Sequence, residues 1–116
     1  MQYLLLIYEE EKIWTEMPEA ERMTIYNEYR AYTEKIKASG HWKGGAPLQP
    51  THTATTVRVR TGKLSTTDGP FAETREQLGG FYLVEAKDLD EATRLAAGIP
   101  GAKLGSIEVR PIMPIG

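Results

Sequence analysis

Thr67-Asp68-Gly69-Pro70-Phe71-Ala72-Glu73-Thr74-Arg75-Glu76-Gln77-Leu78-Gly79-Gly80 separates two strand-like runs and sets the order of the elements around it. Asp-Gly-Pro is strong turn chemistry. Glycine permits positive φ, proline holds φ at about −65°, and aspartate bonds to nearby backbone amides. Beyond the turn, Glu73 and Glu76 stand at i, i+3, neighbours on one face if a short helix forms there. So many residues of special backbone or special chemistry make this stretch the first place to seek a site.

On its N-terminal side, Thr55, Val57 and Val59 alternate with Thr56, Arg58 and Arg60, so Thr53 to Arg60 reads as a half-buried strand. Thr61-Gly62 supplies a tight turn and Lys63 to Thr67 returns, making a hairpin. On its C-terminal side, Phe81 to Ala86 is strand-like, with Phe81 and Leu83 alternating with Tyr82 and Val84. Asp88-Leu89-Asp90-Glu91 has capping-box spacing with aspartate as the cap. The helix it opens turns Ala92, Leu95 and Ala96 inward and ends at Gly98, Pro100 and Gly101. Gly105 to Ile112 is the last strand, with Ile107 and Val109 on one side and Glu108 and Arg110 on the other. Pro111 and Pro114 imply that pairing ends there or lies at an edge.

Upstream of the hairpin, His41 to Thr53 contains Gly44-Gly45, Pro47 and Pro50 and reads as a connecting loop with at most one short extended piece. His41 and His52 are the only histidines, and no further ligands stand at organised spacing, so no metal site is read here. A helix runs from Pro18 to Gly40. Pro18 suits its first turn, Glu19 and Glu21 its positive end, and Gly40 its stop. Met23, Tyr26, Tyr29, Thr33 and Ile36 make one face. The tyrosines at 26, 29 and 32 read as core plus a partly exposed rim rather than as a binding strip. Gln2 to Tyr8 is nearly all apolar, which implies a central strand buried on both faces. Glu9 to Trp14 is the loop leaving it.

The order is strand, helix, hairpin, strand, helix, strand. With right-handed crossovers, both helices cover one face of the sheet. The expected fold is a ferredoxin-like α+β plait, a single domain over residues 1–116. The other face is expected to carry Arg58, Arg60, Glu108 and Arg110 among apolar residues of the first and fourth strands. Such a face does not stay bare. A second copy across a two-fold would cover it and form a dimeric α/β barrel, so a homodimer is expected.

The bulk composition agrees. The 116 residues are 41% hydrophobic and 26% charged with a net charge of −2, ordinary for a globular domain. No basic stripe or arm offers itself to nucleic acid. Without cysteine there is no disulfide and no thiolate chemistry, which fits a reducing compartment. The apolar run at the start has no basic flank or small-residue cleavage pattern and stops at Glu9-Glu10-Glu11, too short for a membrane span. The expectation is a cytoplasmic protein with no membrane contact. No cofactor signature is read.

Asp68-Gly69-Pro70-Phe71 and the residues that follow, through Gly79-Gly80-Phe81-Tyr82, resemble the signature of the DGPF-domain proteins of the YCII-related family. Met1 to Tyr8, Gly45-Ala46-Pro47-Leu48-Gln49-Pro50 and Ile107 to Ile112 match as well, so the resemblance covers nearly the whole chain. It implies a dimeric α+β barrel of ferredoxin-like subunits and little about activity. Some relatives in the wider superfamily carry a His–Asp pair in a cleft, and one related group removes chloride from an aromatic degradation intermediate. The aspartate of that pair would correspond to Asp68. Its histidine, expected near the end of the first strand, has no counterpart, because Tyr8-Glu9-Glu10 occupies that region. The motif also often occurs beside extracytoplasmic-function sigma factors, which implies a link to regulation.

Two readings of the motif follow. In the functional one, Asp68 is a general acid or base in a cleft. Arg58 holds an anionic group of the substrate, Glu73 and Glu76 orient Asp68 or act as second carboxylates, and Arg110 adds positive charge. In the structural one, Asp68 caps the turn, Pro70 starts a helical turn, Phe71 plugs the core, and the charged residues pair with one another. Three functions remain open. They are an enzyme acting on a small acidic or aromatic compound, a ligand-sensing dimer without catalysis, and a protein-interaction module tied to sigma-factor-dependent transcription.

Overall fold

A computed structural model describes residues 1–115. Its elements are β1 (Gln2–Glu9), α1 (Glu11–Glu16), α2 (Glu19–Ala38), β2 (Trp42–Pro47), β3 (Thr55–Arg60), β4 (Lys63–Asp68), β5 (Gln77–Glu85), α3 (Leu89–Ala97) and β6 (Ser106–Pro111). Short 3₁₀ turns lie at Thr51–Thr53 and Pro100–Lys103. Four strands form an antiparallel sheet in the order β2-β5-β1-β6. With α2 and α3 as the two crossovers, this is the expected ferredoxin-like plait.

Alternation along the central strands sorts the side chains into two layers. Tyr3, Leu5 and Ile7 of β1 and Tyr82 and Val84 of β5 are buried beneath the helices. There they meet Tyr32 and Ile36 of α2, Ala92 and Ala96 of α3, and Ile99. The opposite face carries Leu4, Leu6, Phe81 and Leu83, in register as Leu4↔Leu83 and Leu6↔Phe81. All four are half-buried.

The inward stripe of α2 differs from the expected one. Tyr32 and Ile36 are buried, whereas Met23 and Tyr26 are about half exposed. The helix packs on the sheet through its C-terminal half, so positions at its start look outward. Glu11 to Trp14 of the expected 9–14 loop, together with Thr15 and Glu16, form α1 instead.

The hairpin does not join the sheet. β2, the short extended piece for which the expected 41–53 loop left room, takes the place beside β5, and β3 and β4 pair only with each other. The reason is steric. A Cβ on Gly45 would meet the Phe81 carbonyl oxygen at 2.8 Å, so a strand of small residues fits this edge closely. Arg58 and Arg60 therefore do not share a sheet face with Glu108 and Arg110. Chain between Pro47 and the 3₁₀ turn steers the hairpin outward as an arm. The radius of gyration is 16.1 Å, against about 13 Å for a compact chain of this length.

At α3, the Asp88 carboxylate accepts the Glu91 amide at 2.9 Å, as the capping spacing requires, and Glu91 reaches back to accept the amide of Lys87, one residue before the cap, at 3.0 Å. Asp88→Ala is expected to lower unfolding free energy by about 1 kcal/mol, read by urea titration. No helix among the described residues is long and apolar enough to cross a membrane.

Candidate functional site

Three consecutive glutamates leave β1 and meet three fates. Alternation continues the inward face of β1 from Ile7 to Glu9, which places Glu9 beneath α2. Its Oε1 accepts the Tyr29 hydroxyl at 3.3 Å. Glu10 turns outward to Arg75, 3.2 Å away. Glu11 holds the loop after β2: its carboxylate accepts the Thr51 amide at 2.8 Å and the Thr51 hydroxyl at 2.6 Å. The Glu11 amide donates to Gln77 Oε1 at 2.9 Å, tying α1 to the start of β5.

These ties frame a cleft of about 810 Å³ between the start of α2, the end of β1, the loop after β2 and β5. Its walls are aromatic. Trp14 meets Tyr26 edge-on with centroids 5.2 Å apart, and Trp42 meets Tyr82 at 5.8 Å. Glu9, Tyr29, Arg30, Thr33 and Gln77 supply polar groups.

Burial pushes the Glu9 carboxyl above its ordinary range; the Tyr29 bond opposes this and the charge of Glu76 adds to it. Burial, with the Glu9 charge beside it, also pushes the Tyr29 phenol well up. The Tyr82 phenol is raised by burial and is 2.8 Å from the Thr33 hydroxyl. Both phenols therefore stay protonated near neutral pH. The result is a carboxyl poised to take or give a proton, beside hydroxyl donors and aromatic faces.

The residues singled out in the sequence are dispersed. Glu76 joins this electrostatic group and accepts the Ser106 hydroxyl at 2.9 Å. Asp68 lies exposed at the end of β4, Gly69 takes φ of +102°, and Phe71 is 80% exposed rather than plugging the core. No helix forms over Glu73 and Glu76. Arg58 sits on the arm, and Arg110 pairs with Glu108 on the edge strand β6. Asp68, Arg58, Glu73 and Arg110 do not line the cleft of their own chain. Sequence reading missed Glu9 and Tyr29. The signal was a charged residue at an inward strand position, facing a tyrosine that a helix brings over it. His41 bonds with Ser39 at 2.6 Å and lies 3.3 Å from Glu91. Among the described residues, no three acidic, histidine or cysteine side chains cluster as metal ligands do.

An antiparallel plait with a covered helical face and an aromatic cleft at its sheet end defines a class of small α+β domains. The chain belongs to the YCII-related family, whose domain model matches residues 1–116. It is 38% identical over 114 residues to an uncharacterised protein of Rhizobium meliloti (strain 1021), covering 97% of this chain and 92% of that one. Among solved structures it is similar to 5-chloro-2-hydroxyhydroquinone dehydrochlorinase from Burkholderia phenoliruptrix, in complex with 2,5-dihydroxybenzoquinone. The TM-score is 0.53 at 20% identity, covering 97% of this chain and 94% of that one, a likeness of fold.

Proposed function

We propose that the chain works as a homodimer whose cleft takes up a small aromatic or acidic compound and exchanges a proton with it through Glu9. One observation carries this reading: a half-buried carboxyl with a raised pKa stands in an aromatic-walled cleft and accepts a bond from Tyr29. The walls suit a flat ring, Arg30 at the lining suits an anionic substituent, and the raised Glu9 carboxyl suits acid–base work. The dehydrochlorinase is consistent with a fold able to host small aromatic compounds, and its quinone ligand is a reasonable probe. Asp68, Arg58 and Glu73 enter this reading as groups that reach a ligand only when a second copy delivers them. Arg110 enters through the open sheet face, which the second copy covers.

A ligand-sensing dimer without turnover, linked to sigma-factor-dependent transcription, would use the same cleft. The two readings part on whether a bound compound is transformed.

The test is titration of the protein with hydroxybenzoates, dihydroxybenzenes and 2,5-dihydroxybenzoquinone, followed by Trp fluorescence and calorimetry. At least one ring compound is expected to bind in the micromolar range. Trp14→Ala should weaken that binding about tenfold through the lost aromatic contact. Absence of any binding by the whole panel would sink the small-molecule reading.

A further inference from the structure

The β3–β4 arm has two unlike faces. Register pairs Val59 with Leu64 and Val57 with Thr66, so these share one side. Val57 and Val59 are each 59% exposed and Leu64 is 69% exposed. The other side carries Arg58, Arg60 and Lys63, with Arg60 paired to Lys63 across the ladder. An isolated two-stranded hairpin is marginal in water and needs something to cover its apolar side. Among the described residues, the pairing of β3 with β4 is the one extensive packing either strand makes, and the apolar side stays more than half exposed.

A complementary surface exists elsewhere on the same chain. Between Glu9 and Glu21 stand six glutamates and one lysine. Here α1 and the start of α2 form the rim of the cleft, and Arg22 binds them together by donating to the Met17 and Trp14 carbonyls. Ile13, Met23 and Tyr26 are exposed along this rim. Glu9, Glu10 and Glu11 are engaged with Tyr29, Arg75 and Thr51, which leaves Glu16, Glu19 and Glu21 as the exposed acids, interleaved there with apolar side chains as basic and apolar ones are on the arm.

We infer that the arm of one copy docks on the α1–α2 rim of a second copy, with its valines and Leu64 against Ile13, Met23 and Tyr26 and its basic side chains among the rim glutamates. A two-fold makes the contact reciprocal, so each arm closes the mouth of the other copy's cleft. The inference rests on the homodimer reading, because it takes a second copy as the occupant.

Sedimentation of three variants tests it. The first carries Arg58→Glu, Arg60→Glu and Lys63→Glu on the arm. The second carries Glu16→Lys and Glu19→Lys on the rim. The third combines all five. Wild type is expected to sediment as a dimer at micromolar concentration. The arm and rim variants should each weaken dimerisation at least about tenfold, and the combined variant should restore it. The arm variant should keep the helical circular dichroism of wild type, since among the described residues the arm packs extensively on no other element. An arm variant that dimerises like wild type, or a combined variant that fails to recover, overturns the docking and leaves the homodimer standing. A monomeric wild type overturns both, while the ring-compound titration still reads the cleft by itself.

Discussion

Glu9→Gln is expected to abolish proton transfer while leaving the fold intact. The substitution keeps the shape of the side chain and an oxygen to accept the Tyr29 hydroxyl, now 3.3 Å from Glu9 Oε1. It removes only the group that titrates. For any compound found to be turned over, the rate should fall about 10²- to 10⁴-fold, the usual contribution of a positioned acid or base. Binding should change little. The stability profile gives a second, independent readout. Burial raises the Glu9 pKa, Tyr29 lowers it and Glu76 raises it, with a net upward shift. The folded chain therefore holds this proton to higher pH than the unfolded chain does. Its contribution is fully present below the ordinary carboxyl pKa and is lost as pH rises through the folded value. Glu9→Gln lacks that loss. In urea titrations between about pH 4 and about pH 8, the variant should be at least as stable as wild type at the upper end. The gap should close as pH falls through the carboxyl range. Unchanged turnover in Glu9→Gln would remove Glu9 from the chemistry.

The sheet was legible because its central strands announce themselves by pattern. The apolar run of β1, the alternation of β5 and β6 and the cap of α3 each follow from local chemistry. β2 was not legible, because Trp42-Lys43-Gly44-Gly45-Ala46-Pro47 has the composition of a loop and becomes a strand only through the close approach of β5. The hairpin was legible as a hairpin. Its detachment was not, since Thr-Val-Arg-Val-Arg alternates alike whether its apolar side meets a helix or another molecule. The motif drew attention to Asp68, yet Asp68 is an exposed arm residue in its own chain. Glu9 and Tyr29 lie twenty positions apart on different elements. Only the packing of α2 over β1 brings them together, and no short-range spacing encodes that.

Two glycines of the loop before β6 separate the demands of the fold from those of the site. A Cβ on Gly105 would drive into the Tyr8 carbonyl and come within 3.1 Å of the Glu9 Cα. These are backbone atoms of β1, which cannot rotate away, so β6 must move off its central partner. Gly105→Ala is expected to cost about 3 kcal/mol, at the upper end for overpacking. A Cβ on Gly101 would instead meet the Glu9 carboxylate and, at 2.5 Å, the Tyr29 hydroxyl. Those are the ends of side chains, and they can give way. Gly101→Ala should therefore cost less, about 1 kcal/mol, but it should break the Glu9–Tyr29 bond. With that bond gone, one restraint holding the Glu9 pKa down is lost, and the pH dependence of any turnover should move upward. Urea titration measures the first difference and a pH–rate profile the second. Equal destabilisation by the two substitutions, with no change in the pH profile for Gly101→Ala, would mean that the loop serves packing alone and that the Glu9–Tyr29 contact is incidental to it.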